Sequence, residues 1–136
     1  MKLITRDTDY GIRALCYMAK QKKKVFSVKD LVKESKIPKP FLRKILQRLN
    51  KKGFLKSTRG KGGGFVLVRK AQTIRVAEVI EAFQGKISLS EHTFIKKLCP
   101  HIKVCSLKKA LDGIEKYALK ALNSIAIKDL IKDIAK

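Results

Sequence analysis

Pro38-Lys-Pro-Phe-Leu-Arg-Lys-Ile-Leu-Gln-Arg-Leu49 is followed closely by Ser57-Thr-Arg-Gly-Lys-Gly-Gly-Gly-Phe65. The first segment reads as a helix. Phe41, Leu42, Ile45, Leu46 and Leu49 recur at helical spacing and form one apolar stripe. Pro38 and Pro40 are tolerated in a first helical turn, whose amides lack intrahelical acceptors, and Gly53 offers a left-handed stop beyond about Lys51. The second segment reads as a hairpin. Phe54–Thr58 and Phe65–Val68 are β-rich, and Arg59–Gly64 is the glycine-rich turn between them. Upstream, Ser27 stands three residues before Asp30, a helix-starting pattern. The short helix it opens runs through Val28, Leu31 and Val32 and ends at Ile37-Pro38, because proline disfavours helix at the residue before it. Helix, tight turn, helix and hairpin make a winged helix-turn-helix. The expected fold is therefore mainly α.

Working outward, Asp9–Gln21 reads as a helix with Ile12, Leu15, Cys16 and Ala19 on one face and Asp7, Thr8 or Asp9 as its cap. Cys16 on that stripe is expected to be a buried small residue. Arg75–Phe83 is a further helix closed by Gly85, and residues 86–104 read as irregular. From Cys105 a long helix follows. Leu107, Leu111, Ile114, Ala118, Ala121 and Ile125 alternate spacings of four and three, a heptad seam suited to a partner helix, which Leu119 and Leu122 widen. Ala126–Ile134 is a short amphipathic helix expected to pack beside it. The organisation expected is a winged helix-turn-helix domain over 1–85, a loop over 86–104, and a dimerisation helix with a C-terminal helix over 105–136.

Charge narrows the partner. The 136-residue chain carries a net charge of +22, and between Lys36 and Ala77 there are thirteen Lys or Arg and no acidic residue. Cations concentrated this way fit a polyanion. Once the apolar stripe of the Pro38 helix is turned inward, Lys39, Pro40, Arg43, Lys44 and Gln47 remain outward at its N-terminal end. Arg43 or Lys44 can read guanine and Gln47 can read adenine. Lys51, Lys52 and Lys56 suit phosphates. Arg59 suits a narrow minor groove. Ser27 and Lys61 complete the expected DNA-facing set.

Other classes fit less well. No apolar run approaches the ~18–20 residues of a membrane span, and the N-terminal residues show no apolar signal core. Three cysteines, Cys16, Cys99 and Cys105, do not make a disulfide framework. A cytoplasmic protein without membrane partners is expected. No nucleophile elbow or phosphate loop is present, so no enzymatic activity is expected. Two rivals remain: a regulator controlled by a protein partner, and a basic protein that binds nucleic acid by charge alone.

Several stretches together resemble the Rrf2 family of bacterial transcription regulators. They are Met1-Lys-Leu-Ile-Thr5, Asp9-Tyr-Gly-Ile-Arg-Ala-Leu15, Phe41-Leu-Arg-Lys-Ile-Leu46, Arg59-Gly-Lys-Gly-Gly-Gly-Phe65, Val76-Ala-Glu-Val-Ile-Glu81, the Cys99/Cys105 pair and Ile127-Lys-Asp-Leu130. The resemblance implies a homodimer that represses by binding a palindromic operator on double-stranded DNA, with the helix after Cys105 as the dimerisation helix. In sensor members of the family, three cysteines spaced by five residues hold an iron–sulfur cluster, in some with an N-terminal Asp. Here Cys99 and Cys105 match the second and third cysteines, Thr93 stands at the first position, and Asp9 corresponds best to the acidic ligand. His92 or His101 could complete a set of ligands. The pair could instead form a disulfide or do neither.

Overall fold

The computed structural model describes residues 2–21, 24–89 and 106–134. Helix α1 spans Arg6–Lys20. A two-residue strand β1, Val25–Phe26, precedes α2, Val28–Ser35, and α3, Lys39–Lys51. Strands β2, Leu55–Thr58, and β3, Gly64–Leu67, form the hairpin. A 3-10 turn at Ala71–Thr73 leads into α4, Val76–Gln84. Helices α5, Ser106–Ser124, and α6, Ile127–Ile134, follow.

Local chemistry sets most of the boundaries. The Ser27 hydroxyl accepts from the Asp30 amide at 3.1 Å, the expected cap of α2. Helix α1 starts earlier than expected. Its cap is Thr5, whose hydroxyl accepts from the Thr8 amide at 3.4 Å, so Asp7, Thr8 and Asp9 lie inside the first turns rather than capping them. Two acids there still offset the positive end of the helix dipole. Helix α3 ends as the sequence suggests. Gly53, at φ +86°, donates to the Asn50 carbonyl at 3.2 Å and Phe54 to that of Leu49 at 3.0 Å. Those two bonds satisfy carbonyls the helix leaves free, through a backbone shape glycine adopts without penalty.

The sheet order is β1-β3-β2, antiparallel throughout, with Val25 opposite Val66 and Leu55 opposite Leu67. β1 was not legible in advance, since two residues carry no alternation. Its pairing with β3 ties the hairpin to the start of α2 and so fixes where the wing stands.

The main core joins α1, α2, α3 and the sheet through Leu15, Leu31, Leu42, Ile45, Leu46 and Leu49, all 2% exposed or less. A second, smaller cluster of Val76, Ala77, Ile80 and Ile87 receives Leu119, Leu122 and Ile125. Here the structure departs from the expected seam. Leu119 and Leu122 pack inward against α4 instead of widening a partner face, and Ile125 joins them. Helix α6 also differs: it packs on α1, with Ile127 fully buried in the main core. A short antiparallel bridge holds the junction, Val76 donating to the Ile125 carbonyl and Ile127 to the Ile74 carbonyl, each at 2.9 Å. The last helix thus belongs with the winged body, and the compact body reaches past residue 85 to at least Ile87.

Candidate nucleic-acid interface

At about 100° per residue, α3 divides cleanly. Leu42, Ile45, Leu46 and Leu49 are buried, while Lys39, Pro40, Arg43, Lys44, Gln47, Arg48 and Lys51 are exposed on the opposite arc. No acidic residue lies in the first turn of α3. Lys52 follows, also exposed.

The wing adds a second projection. Lys56 is exposed on β2, and Arg59 and Lys61 are exposed in the turn. The turn is tight: Gly63 donates to the Gly60 carbonyl at 2.9 Å, and the Thr58 hydroxyl accepts from Gly64 at 2.9 Å. A Cβ on Gly63 would stand 2.7 Å from the Thr58 carbonyl oxygen and 2.8 Å from that of Gly60, so only glycine fits. That packing gives the Arg59 side chain a defined base.

Ser27 is half-buried and its oxygen accepts from the Asp30 amide, a bond that does not use the hydroxyl's own O–H donor. All eleven sequence-expected DNA-facing residues are therefore in the described part of the chain, and all but Ser27 are exposed.

The structure also sorts cations that sequence cannot. Arg69 lies in the acid-free stretch, yet its guanidinium pairs with Glu78, donates to the Thr73 carbonyl at 2.6 Å and lies 5.4 Å over the Phe54 ring. The hydrogen bond to Glu78 pushes its pKa further up. Arg69 is a strut between the wing and α4, not a free cation. Arg6, which carries no sequence signal, places its guanidinium 4.6 Å from the Phe41 ring centroid, and Tyr10 sits 6.2 Å from the same ring. Lys36, between α2 and α3, is the left-handed residue of the turn at φ +60°, the one non-glycine with positive φ among the described residues.

Of the expected metal-site residues, His92, Cys99, His101 and Cys105 lie outside the described residues. Asp9 is described and already engaged: its Oδ2 accepts from Arg13 at 2.8 Å on the exposed face of α1. With Thr93 at the first ligand position, the donor set does not fit a cluster held by three cysteines. Cys16 is fully buried, and burial pushes its thiol up to about 11, so it is an inert core residue as expected.

On α5 the apolar stripe left bare is Leu107, Ala110, Ile114, Tyr117 and Ala121, while Leu111 and Ala118 are half-buried at its edge. Tyr117 and Ala110 therefore replace Leu111 and Ala118 in the exposed row, a rotation imposed by the packing of Leu119 and Leu122 on α4.

The family model described as an iron-dependent transcriptional regulator, Rrf2, matches residues 4–133. The chain belongs to the Rrf2 family. An Rrf2 relative, the HTH-type transcriptional regulator NsrR of Bacillus subtilis (strain 168), is 30% identical over 135 residues, 98% of this chain and 92% of the relative. Among solved structures, IscR of T. potens aligns with a TM-score of 0.74 at 24% identity, covering 98% of this chain and 88% of that one. CymR (YrzC), the global cysteine regulator of B. subtilis, aligns with a TM-score of 0.75 at 23% identity, covering 97% and 98%. The chain is thus a DNA-binding transcription regulator of Rrf2 type with the winged-helix fold. Among the described residues no helix is long and apolar enough to cross a membrane.

Proposed function

We propose that this Rrf2 regulator works as a homodimeric repressor on a roughly palindromic operator. The observation that carries the two-fold arrangement is α5. It has 19 residues and none is buried, with Leu107, Ile114 and Tyr117 63%, 56% and 78% exposed. A row of large apolar side chains at alternating three and four spacing is the seam of a paired helix, and a second copy of α5 would cover it.

Each subunit then presents α3 to a major groove and its wing to the neighbouring minor groove. Arg43 or Lys44 reads guanine and Gln47 reads adenine. Lys39, Lys51, Lys56, Lys61 and the Ser27 hydroxyl hold phosphates, and Arg59 enters the minor groove. The exposed, acid-free arc of α3 supports this assignment over binding by charge alone, because its cations are placed on one ordered helical face.

The signal is read by the residues His92, Cys99, His101 and Cys105, which precede α5 in the sequence. Two thiols and two imidazoles suit a metal, a cluster completed by non-cysteine ligands, or a reversible thiol pair. Whichever is bound must have different affinity in the DNA-competent and incompetent states. Anaerobic purification followed by a visible spectrum, iron and sulfide analysis and thiol titration separates these. Footprinting on DNA selected by the protein, together with sedimentation, tests the rest. A symmetric footprint by a dimer is expected. A monomer protecting no defined site would refute the proposal.

A further inference from the structure

Two cations beside α3 occupy positions that the fold disfavours. Lys36 holds the left-handed turn between α2 and α3 at φ +60°, ψ +18°, where glycine would sit without a Cβ penalty. A cation is welcome at the C-terminus of α2, but many exposed positions there offer that without the backbone cost. Arg6 is in the first turn of α1, at the positive end of the helix dipole, where a cation is disfavoured. Its guanidinium is held in place by the Phe41 ring, 4.6 Å away. Both side chains are exposed, and neither has a carboxylate partner among the described residues. Asp9, the acid one turn along from Arg6, is paired with Arg13. Asp7, one position on, projects about 100° around the axis from Arg6.

Their placement has a common logic. Phe41 lies at the border between the buried and exposed arcs of α3, so Arg6 extends the cationic arc past Lys44 and Arg48. Lys36 stands two residues ahead of Pro38, the N-cap of α3, in the turn that leads into the helix. An α-helix about 10–12 Å across fills a major groove about 12 Å wide, so side chains at its flanks meet the groove walls, which are phosphate, and not base edges.

We infer that Arg6 and Lys36 are phosphate anchors at the N-terminal end of α3, one beside the helix at Phe41 and one in the turn that enters it, and that they set its depth and angle in the groove. This rests on α3 being the reading helix. The anchors fix register and carry no base preference.

The test uses the full chain and two duplexes: one selected by the wild-type protein from a randomised pool, and a scrambled duplex of the same composition. Affinity is measured from 50 to 400 mM KCl for Arg6→Gln, Lys36→Gln, Lys36→Gly and Arg43→Ala. Each anchor lost should weaken binding roughly 5–10-fold per contact at 0.1 M salt and flatten the log–log salt slope by about 0.9 per contact, on both duplexes alike. Lys36→Gly should raise Tm by roughly 2–4 °C, through relief of the turn, while binding DNA less well. Opposite signs for stability and binding are the signature that a merely structural residue would not give. Arg6→Lys should restore most of the slope. An unchanged salt slope in Arg6→Gln or Lys36→Gln, or loss on the selected duplex alone, would overturn the inference. Arg43→Ala reports separately on α3: if it leaves discrimination between the duplexes intact while the anchor variants flatten the slope, the anchors stand and the reading helix is misassigned.

Discussion

Replacing Ile114 with Ser should separate the pairing of the protein from its folding. Ile114 is 56% exposed on a helix that buries none of its residues within the chain. Fully burying an isoleucine side chain contributes about 1.5–3 kcal/mol, so the portion left bare stands to gain roughly 1–1.7 kcal/mol when a second α5 covers it. Two-fold symmetry doubles the effect, to roughly 2–3 kcal/mol, or about 30–150-fold in the dimer dissociation constant. The portion already covered costs only about 1 kcal/mol in folding. Sedimentation equilibrium over a wide concentration range reads the first quantity, and chemical denaturation of dilute protein reads the second. Leu119→Ser is the control, because Leu119 packs inward on Val76, Ala77 and Ile80. It should lower stability more than Ile114→Ser and weaken pairing less. A dissociation constant unmoved by Ile114→Ser, or a wild-type chain that stays monomeric at high concentration, would refute the reasoning.

Arg59→Ala should lose roughly 1–3 kcal/mol of operator affinity and relax preference for A·T-rich flanks, read by competition binding on duplexes that differ only there. Gly63→Ala should cost a similar loss without removing any charge, because its Cβ would stand 2.7 Å from the Thr58 carbonyl oxygen and force the wing turn to move. Ser27→Ala removes the cap of α2 and should lower stability by about 0.5–2 kcal/mol in urea denaturation. The buried Cys16 thiol sits at about 11 against an ordinary 9.0, so the folded state holds its proton longer than the unfolded one. Its contribution is full below pH 9 and is lost as pH rises through 11, roughly 2–3 kcal/mol in all. Cys16→Ala should flatten that alkaline decline, and a decline unchanged in the variant would assign it to other groups.

Much of the interface was readable because α3 is an isolated periodic signal. Its apolar stripe, its two prolines and the glycine at its end each act within a few residues, so local rules apply directly. The same holds for the Ser27 cap and the glycine-rich hairpin. What escaped prediction depends on partners distant in sequence. Strand β1 exists only because Val66 and Phe65 lie opposite it. Arg69 counts among the thirteen cations of the acid-free stretch, and only the fold sets Glu78 and Phe54 around it. Arg6 acquired its place beside α3 through the Phe41 ring, thirty-five positions away.

The chain of residues alone determined the helix-turn-helix, the wing, the surplus of positive charge and the family, because spacing, capping and composition are properties of neighbours along the backbone. Only the folded arrangement decided which of those charges stay free, which row of α5 is left uncovered and where α6 returns. Those outcomes follow from which surfaces bury one another, and burial is settled between segments that a linear reading cannot bring together.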